Sequence, residues 1–100
     1  MILANTTFFI SPAREKTFRA WVRSVYIPAL VSSGFTSPML LRILGNDDPA
    51  VVSYALQVMA PSAQEAGSWL IEGEGERIRS EFASGFREEC LWFITLMEQI

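Results

Sequence analysis

The chain has 100 residues, half of them hydrophobic and 19% charged, with a formal net charge of −3. That balance excludes a disordered chain, which has too little apolar surface to bury, and the length sets one domain over residues 1–100 as the expectation. The eight Lys and Arg residues form no run, so no basic face able to displace counterions from phosphates is predicted, and nucleic acid is set aside as a partner. Histidine is absent, which removes the commonest general base and metal ligand together. The single cysteine, Cys90, permits no intramolecular disulfide and points to a reducing, cytoplasmic setting. Residues 1–10 lack the basic start of a signal peptide, and no apolar run approaches the ~18 residues of a membrane span.

Residues 1–10, rich in Ile, Thr and Phe, predict a strand. Ser11-Pro12 opens a helix, with Ser11 as N-cap and Pro12 where no N–H is needed. Phe18, Trp21, Val22 and Val25 give it one apolar face. Pro28 predicts a kink or restart, and Gly34 a left-handed cap at its end. Residues 38–45 and 50–60 predict two strands around Gly45-Asn46-Asp47-Asp48-Pro49, a dense turn signal. A turn centred there makes a hairpin in which Leu44 faces Val51, Arg42 faces Ser53 and Leu40 faces Ala55. Ser62 with Glu65 has the form of a capping box for a second helix. Its apolar stripe is Ala66, Leu70, Ile78, Phe82 and Phe86, and Gly73 and Gly75 predict a break near residues 72–76. Residues 89–98 predict the last strand.

The order β-α-β-β-α-β predicts an α+β, ferredoxin-like fold: a four-stranded antiparallel sheet with both helices on one face. Alternation places Ala4, Thr6, Phe8, Ile10, Met39, Leu41, Ile43, Tyr54, Leu56, Val58, Leu91, Phe93 and Met97 under the helices. The other face then carries Phe9, Leu40, Leu44, Trp92, Ile94 and Leu96, more apolar surface than a solvated sheet face tolerates. These six residues are the predicted interface of a homodimer packed sheet to sheet.

The segments Trp21 with Tyr26-Ile27-Pro28, Ser33-Gly34-Phe35, Tyr54-Ala55-Leu56-Gln57-Val58 and Phe93-Ile94-Thr95, together with Asn5, follow a pattern. In these the chain resembles, over nearly its whole length, a bacterial domain-of-unknown-function family placed with the dimeric α/β-barrel, ferredoxin-like proteins. Members show W-x4-H-I-P, then T-G-x-F, Y-x-V-Q-Y and F-R-T elements. The resemblance implies the fold and a dimer, and supplies no reaction. The family's histidine is Tyr26 here, a phenol with an ordinary pKa near ~10 and a poor base at neutral pH.

Most motifs read as structure. Trp21 is a core residue; Asn46-Asp47-Asp48 is a turn without metal-loop spacing; Glu72, Glu74 and Glu76 are a solvated face; Cys90 is a small buried residue with no histidine to activate it. No catalytic residue, metal site or cofactor is assigned. What remains for ligand binding is a polar group on the face away from the helices, Asn5, Arg42 and Gln57 with Thr7 and Ser53, beside Trp92, with Tyr26 as a further contact. In that arrangement Arg42 would hold an anion against an apolar Trp92 wall. The leading expectation is a homodimeric interaction or scaffold domain. The alternatives are a small-ligand binder or a cofactor-independent enzyme using that pocket.

Overall fold

A computed structural model describes residues 1–45, 47–85 and 89–100. Four strands, β1 (Ile2–Ile10), β2 (Thr36–Arg42), β3 (Val52–Ala60) and β4 (Cys90–Glu98), form one antiparallel sheet in the order β2-β3-β1-β4. Between β1 and β2 runs helix α1, built of a 3-10 turn Pro12–Arg14, an α segment Glu15–Trp21, a π segment Val22–Tyr26 and a second α segment Ile27–Ser32. Between β3 and β4 runs helix α2, with an α turn Ala63–Glu65, a π segment Ala66–Ile71 and an α segment Glu74–Ala83. This is the predicted α+β, ferredoxin-like architecture.

Helix α1 starts differently from expectation. Ser11 has the extended backbone of a cap, but its hydroxyl makes no capping bond and is buried without a partner among the described residues. Pro12 instead opens a 3-10 turn, closed by a bond from Arg14 N to Ser11 O. Pro28 does restart the helix. Its ring cannot follow the residue 24 carbonyl in α geometry, and the wider π turn ahead of it places Pro28 in the first turn of the next segment, where its missing N–H costs nothing. Gly34, at φ +94°, ends the helix with bonds from Gly34 N to Val31 O and from Phe35 N to Leu30 O, which tuck Phe35 into the core.

In α2, Ser62 Oγ accepts from Glu65 N at 3.1 Å, as the sequence predicts. The break falls at Gly73. A Cβ there would sit 2.2 Å from the Ser68 carbonyl oxygen, and one at Gly75 would sit 3.0 Å from the Trp69 ring and carbonyl, so the chain passes too close to the π turn for a side chain. Of the expected stripe, Ala66 and Leu70 are buried and Ile78 and Phe82 half-buried; Phe86 lies outside the described residues, as does Asn46 of the turn. The core is aromatic: Trp21 stacks on Phe82 at 4.2 Å and on Tyr26 at 4.9 Å, and Phe8 lies 4.9 Å from Phe18.

The faces of β1 and β3 are as predicted, and those of β2 and β4 are reversed. At its start β2 has the expected register, Thr36 opposite Met59. An extra residue then enters at Ser37-Pro38, with Ser37 at φ +54°, and beyond it Met39 pairs with Gln57, Leu40 with Leu56, Leu41 with Ala55 and Arg42 with Tyr54. One residue of slip turns every later side chain over. Leu40 and Arg42 therefore face the helices, while Met39, Leu41 and Ile43 face away; Leu44 lies past the strand end, exposed. In β4, Ile10 pairs with Cys90, Phe8 with Trp92, Thr6 with Ile94 and Ala4 with Leu96. Trp92, Ile94 and Leu96 thus lie on the helix side and Leu91, Phe93 and Met97 on the open side. The strand is apolar on both faces, so its own alternation does not choose between them.

Candidate functional site

Two places concentrate chemistry that the fold does not use elsewhere: the open face of the sheet and a buried arginine beneath the helices. The register lays out the open face in rows across β3, β1 and β4. At one end Met59, Leu3 and Met97 align; at the other, Ser53, Phe9 and Leu91, with Ile43 alongside. Between them run Gln57, Asn5 and Thr95, flanked by Met39, and then Ala55, Thr7 and Phe93, flanked by Leu41. Met39, Leu91 and Phe93 are each more than half exposed, at 55%, 56% and 52%, with Leu41, Ile43 and Met97 close behind. The Phe9 and Phe93 rings meet at 5.8 Å. The face is therefore apolar at its ends with a polar band across the middle. In that band Asn5 Nδ2 donates to Thr7 Oγ1 at 3.1 Å, and Asn5 Oδ1 is buried without a partner among the described residues.

The second place surrounds Arg79, which is 1% exposed. Its Nη1 donates to the Tyr26 hydroxyl at 2.6 Å, and its Nη2 donates to the Leu70 carbonyl at 2.6 Å and to Glu76 Oε2 at 3.1 Å. The guanidinium also lies over the rings of Tyr26 and Trp92, at 5.9 and 5.8 Å. Nε is buried without a partner among the described residues. Both π segments serve this contact: one ends on Tyr26, and the other contains Leu70, whose carbonyl Arg79 reaches. Thr6 of the central strand also hydrogen-bonds the phenol. The cluster ties β1, α1 and α2 together. Burial pushes the Tyr26 phenol above its ordinary pKa, with the Arg79 charge and hydrogen bond opposing. A neutral phenol that accepts a fixed hydrogen bond from a buried guanidinium orders a core and is a poor base at neutral pH.

The five residues expected to form one ligand pocket fall in three places. Asn5 and Gln57 do sit side by side on the open face. Tyr26 and Trp92 meet under the helices, around Arg79. Arg42 lies at the sheet edge on the helix side, donating to Glu15 Oε2 at 2.6 Å and to the Tyr54 hydroxyl at 3.2 Å. The anion pocket of Arg42 against a Trp92 wall does not form, because β2 and β4 are at opposite edges of the sheet. Arg79 escaped the sequence reading, although its position between Ile78 and Phe82, four residues after buried Gly75, puts it on the helix's inward face.

The model of a domain of unknown function, DUF4286, matches residues 1–100. Among curated proteins none is similar enough to match. Similar solved structures include a protein of the ethyl tert-butyl ether d (EthD) family from Bacillus halodurans, at TM-score 0.62 and 14% identity over all of both chains. A de novo designed protein with a ferredoxin fold follows at 0.56 and 16%, covering all of this chain and 88% of that one. A dimeric ferredoxin-like protein from an uncultured marine organism follows at 0.52 and 12%, covering 100% and 99%. At such identities the likeness is one of fold.

Proposed function

Because the chain belongs to the DUF4286 family, a domain of unknown function, its membership brings no reaction with it, and we propose from the geometry that it is a homodimeric interaction or scaffold module joined through the open sheet face. The carrying observation is the row of half-exposed Met39, Leu41, Ile43, Leu91, Phe93 and Met97 on that face. Four strands about 4.8 Å apart and some 25 Å long give a face of about 500 Å² in projection, polar band included, near one side of a small specific interface. A second copy is the occupant this face calls for, since a two-fold axis near Asn5 would set polar band on polar band and apolar end on apolar end. The dimeric ferredoxin-like protein among the similar structures lends the same reading support. We also read the chain as a variant of the bacterial W-x4-H-I-P type with Tyr26 at the histidine position, and its lone buried thiol suits a reducing cytoplasm.

Light scattering on the purified protein at micromolar concentration tests the dimer. The expected result is a dimer for the parent and for Val31→Glu, exposed on α1, and a monomer for Phe93→Glu. A monomeric parent, or a Phe93→Glu variant that still dimerises, overturns the proposal. A second reading, small-ligand binding within the dimer, is favoured by Asn5 Oδ1, which is buried and lacks a partner among the described residues. Native mass spectrometry reads it as a small mass retained by the dimer and lost with Asn5→Ala.

A further inference from the structure

Four of the eight Lys and Arg residues gather on one flank of this acidic chain, away from the open sheet face. Lys16, Arg19 and Arg23 follow one another along α1, and Arg42 faces them from edge strand β2. They border two adjoining hollows. One, of about 380 Å³, lies between α1 and the sheet edge and is lined by Arg19, Arg23, Leu40, Arg42 and Tyr54. The other, of about 340 Å³, runs along α1 and shares Arg19 and Arg23 with the first.

The charges elsewhere are balanced differently. Arg14 pairs with Glu89, Arg77 with Glu74 and Glu81, and Arg79 with Glu76. Among the described residues, Glu15 is the one carboxylate lining the two hollows, and it is taken up by Arg42 and by the Tyr54 hydroxyl, which donates to it. No ion pair or hydrogen bond joins Lys16, Arg19 or Arg23 to a carboxylate among the described residues. Arg42 is also fixed in place, its guanidinium 5.7 Å from the Tyr54 ring centre, and Tyr54 itself is buried. The result is one anchored guanidinium facing a helix edge of like charges, with an apolar floor at Leu40.

We propose that this groove binds an oligophosphate chain, as a free polyphosphate or as the phosphate tail of a nucleotide. Guanidinium forks suit phosphoryl oxygens, which accept several donors at once. Like charges concentrated in a groove draw in a polyanion that neutralises them together. The two hollows share Arg19 and Arg23 and carry a cationic lining from Lys16 to Arg42, which suits a chain of phosphoryl groups better than one compact anion. The site is independent of the proposed dimer face.

Calorimetric titration at low salt, with tripolyphosphate and separately with ATP as probes, tests the proposal on the parent, on Arg19→Gln/Arg23→Gln and on Arg77→Gln, a control on α2. The expected result is binding by the parent, weakened about tenfold or more in the double variant and unchanged in the control. Equal affinity for the two probes identifies the phosphate chain alone as the ligand; tighter ATP binding identifies a nucleotide, its base resting at Leu40. Circular dichroism checks folding, and Arg23→Gln, at an exposed position, serves as the second variant. No binding of either probe at millimolar concentration overturns the proposal. So does a double variant that binds as the parent does, or tighter binding of an RNA oligonucleotide than of tripolyphosphate at the same salt.

Discussion

Tyr26 carries opposite loads in the sequence and in the fold. As a residue type it is the place where a histidine-bearing pattern loses its base. In the fold its hydroxyl accepts from buried Arg79, and the pair spans the gap between the two helices. Replacing Tyr26 with Phe leaves one guanidinium N–H buried without a partner, at a cost of about 1–3 kcal/mol in denaturant unfolding. The phenol is held above its ordinary pKa by burial, so the folded state favours its protonated form. Its contribution is therefore complete below the unfolded value of about 10 and is lost as pH rises through the higher folded value. An alkaline stability profile should show a larger loss in the parent than in Tyr26→Phe, which keeps only the part that buried Cys90 contributes. Cys90 gives a second check. The residue is 3% exposed, and burial pushes its thiol pKa up to about 11, so a thiol reagent at pH 8 should label it only after denaturant is added.

At the scale of elements, both helices owe their shape to interruptions visible in the sequence whose outcome is not. Pro28 and the Gly73/Gly75 pair mark where regular α geometry cannot continue. The π turns beside them carry Tyr26 and Leu70, both of which bond Arg79, a contact 53 residues apart in one case and nine in the other. Gly73 is the tightest point. Gly73→Ala drives a methyl into the Ser68 carbonyl and should destabilise by about 1–3 kcal/mol or more, whereas Gly67→Ala, with open space around it, should be neutral or stabilising by up to about 1 kcal/mol. Thermal unfolding of the two variants separates steric exclusion from mere helix propensity. The bulge at Ser37-Pro38 is the sheet's counterpart. Proline at an edge strand is ordinary, and nothing local shows that it adds a residue to the pairing rather than ending the strand.

For the whole molecule, the apolar surplus on the sheet was legible and its membership was not. Phe9 is the one residue of the six predicted for the dimer face that the register keeps on the open side. Leu40, Trp92, Ile94 and Leu96 lie under the helices instead, and Met39, Leu41, Leu91, Phe93 and Met97 take their places. The surplus survives the exchange because β2 and β4 are apolar on both faces. If that face closes a dimer, the unfolding midpoint rises with protein concentration, and Phe93→Glu removes the dependence.

The amino-acid sequence by itself determined the element order, the interruptions of both helices, the Ser62 cap of α2, and an excess of apolar residues beyond what one small core can hold. These follow from local rules: proline without an N–H, glycine without a Cβ, and periodicities of 3.6 and 2. The tertiary structure decided which face each edge strand shows, that Arg79 is buried against Tyr26 and Trp92, and that four scattered cations share one groove. Each of these depends on pairing between distant segments. A one-residue shift there reverses a whole strand and leaves every local signal unchanged.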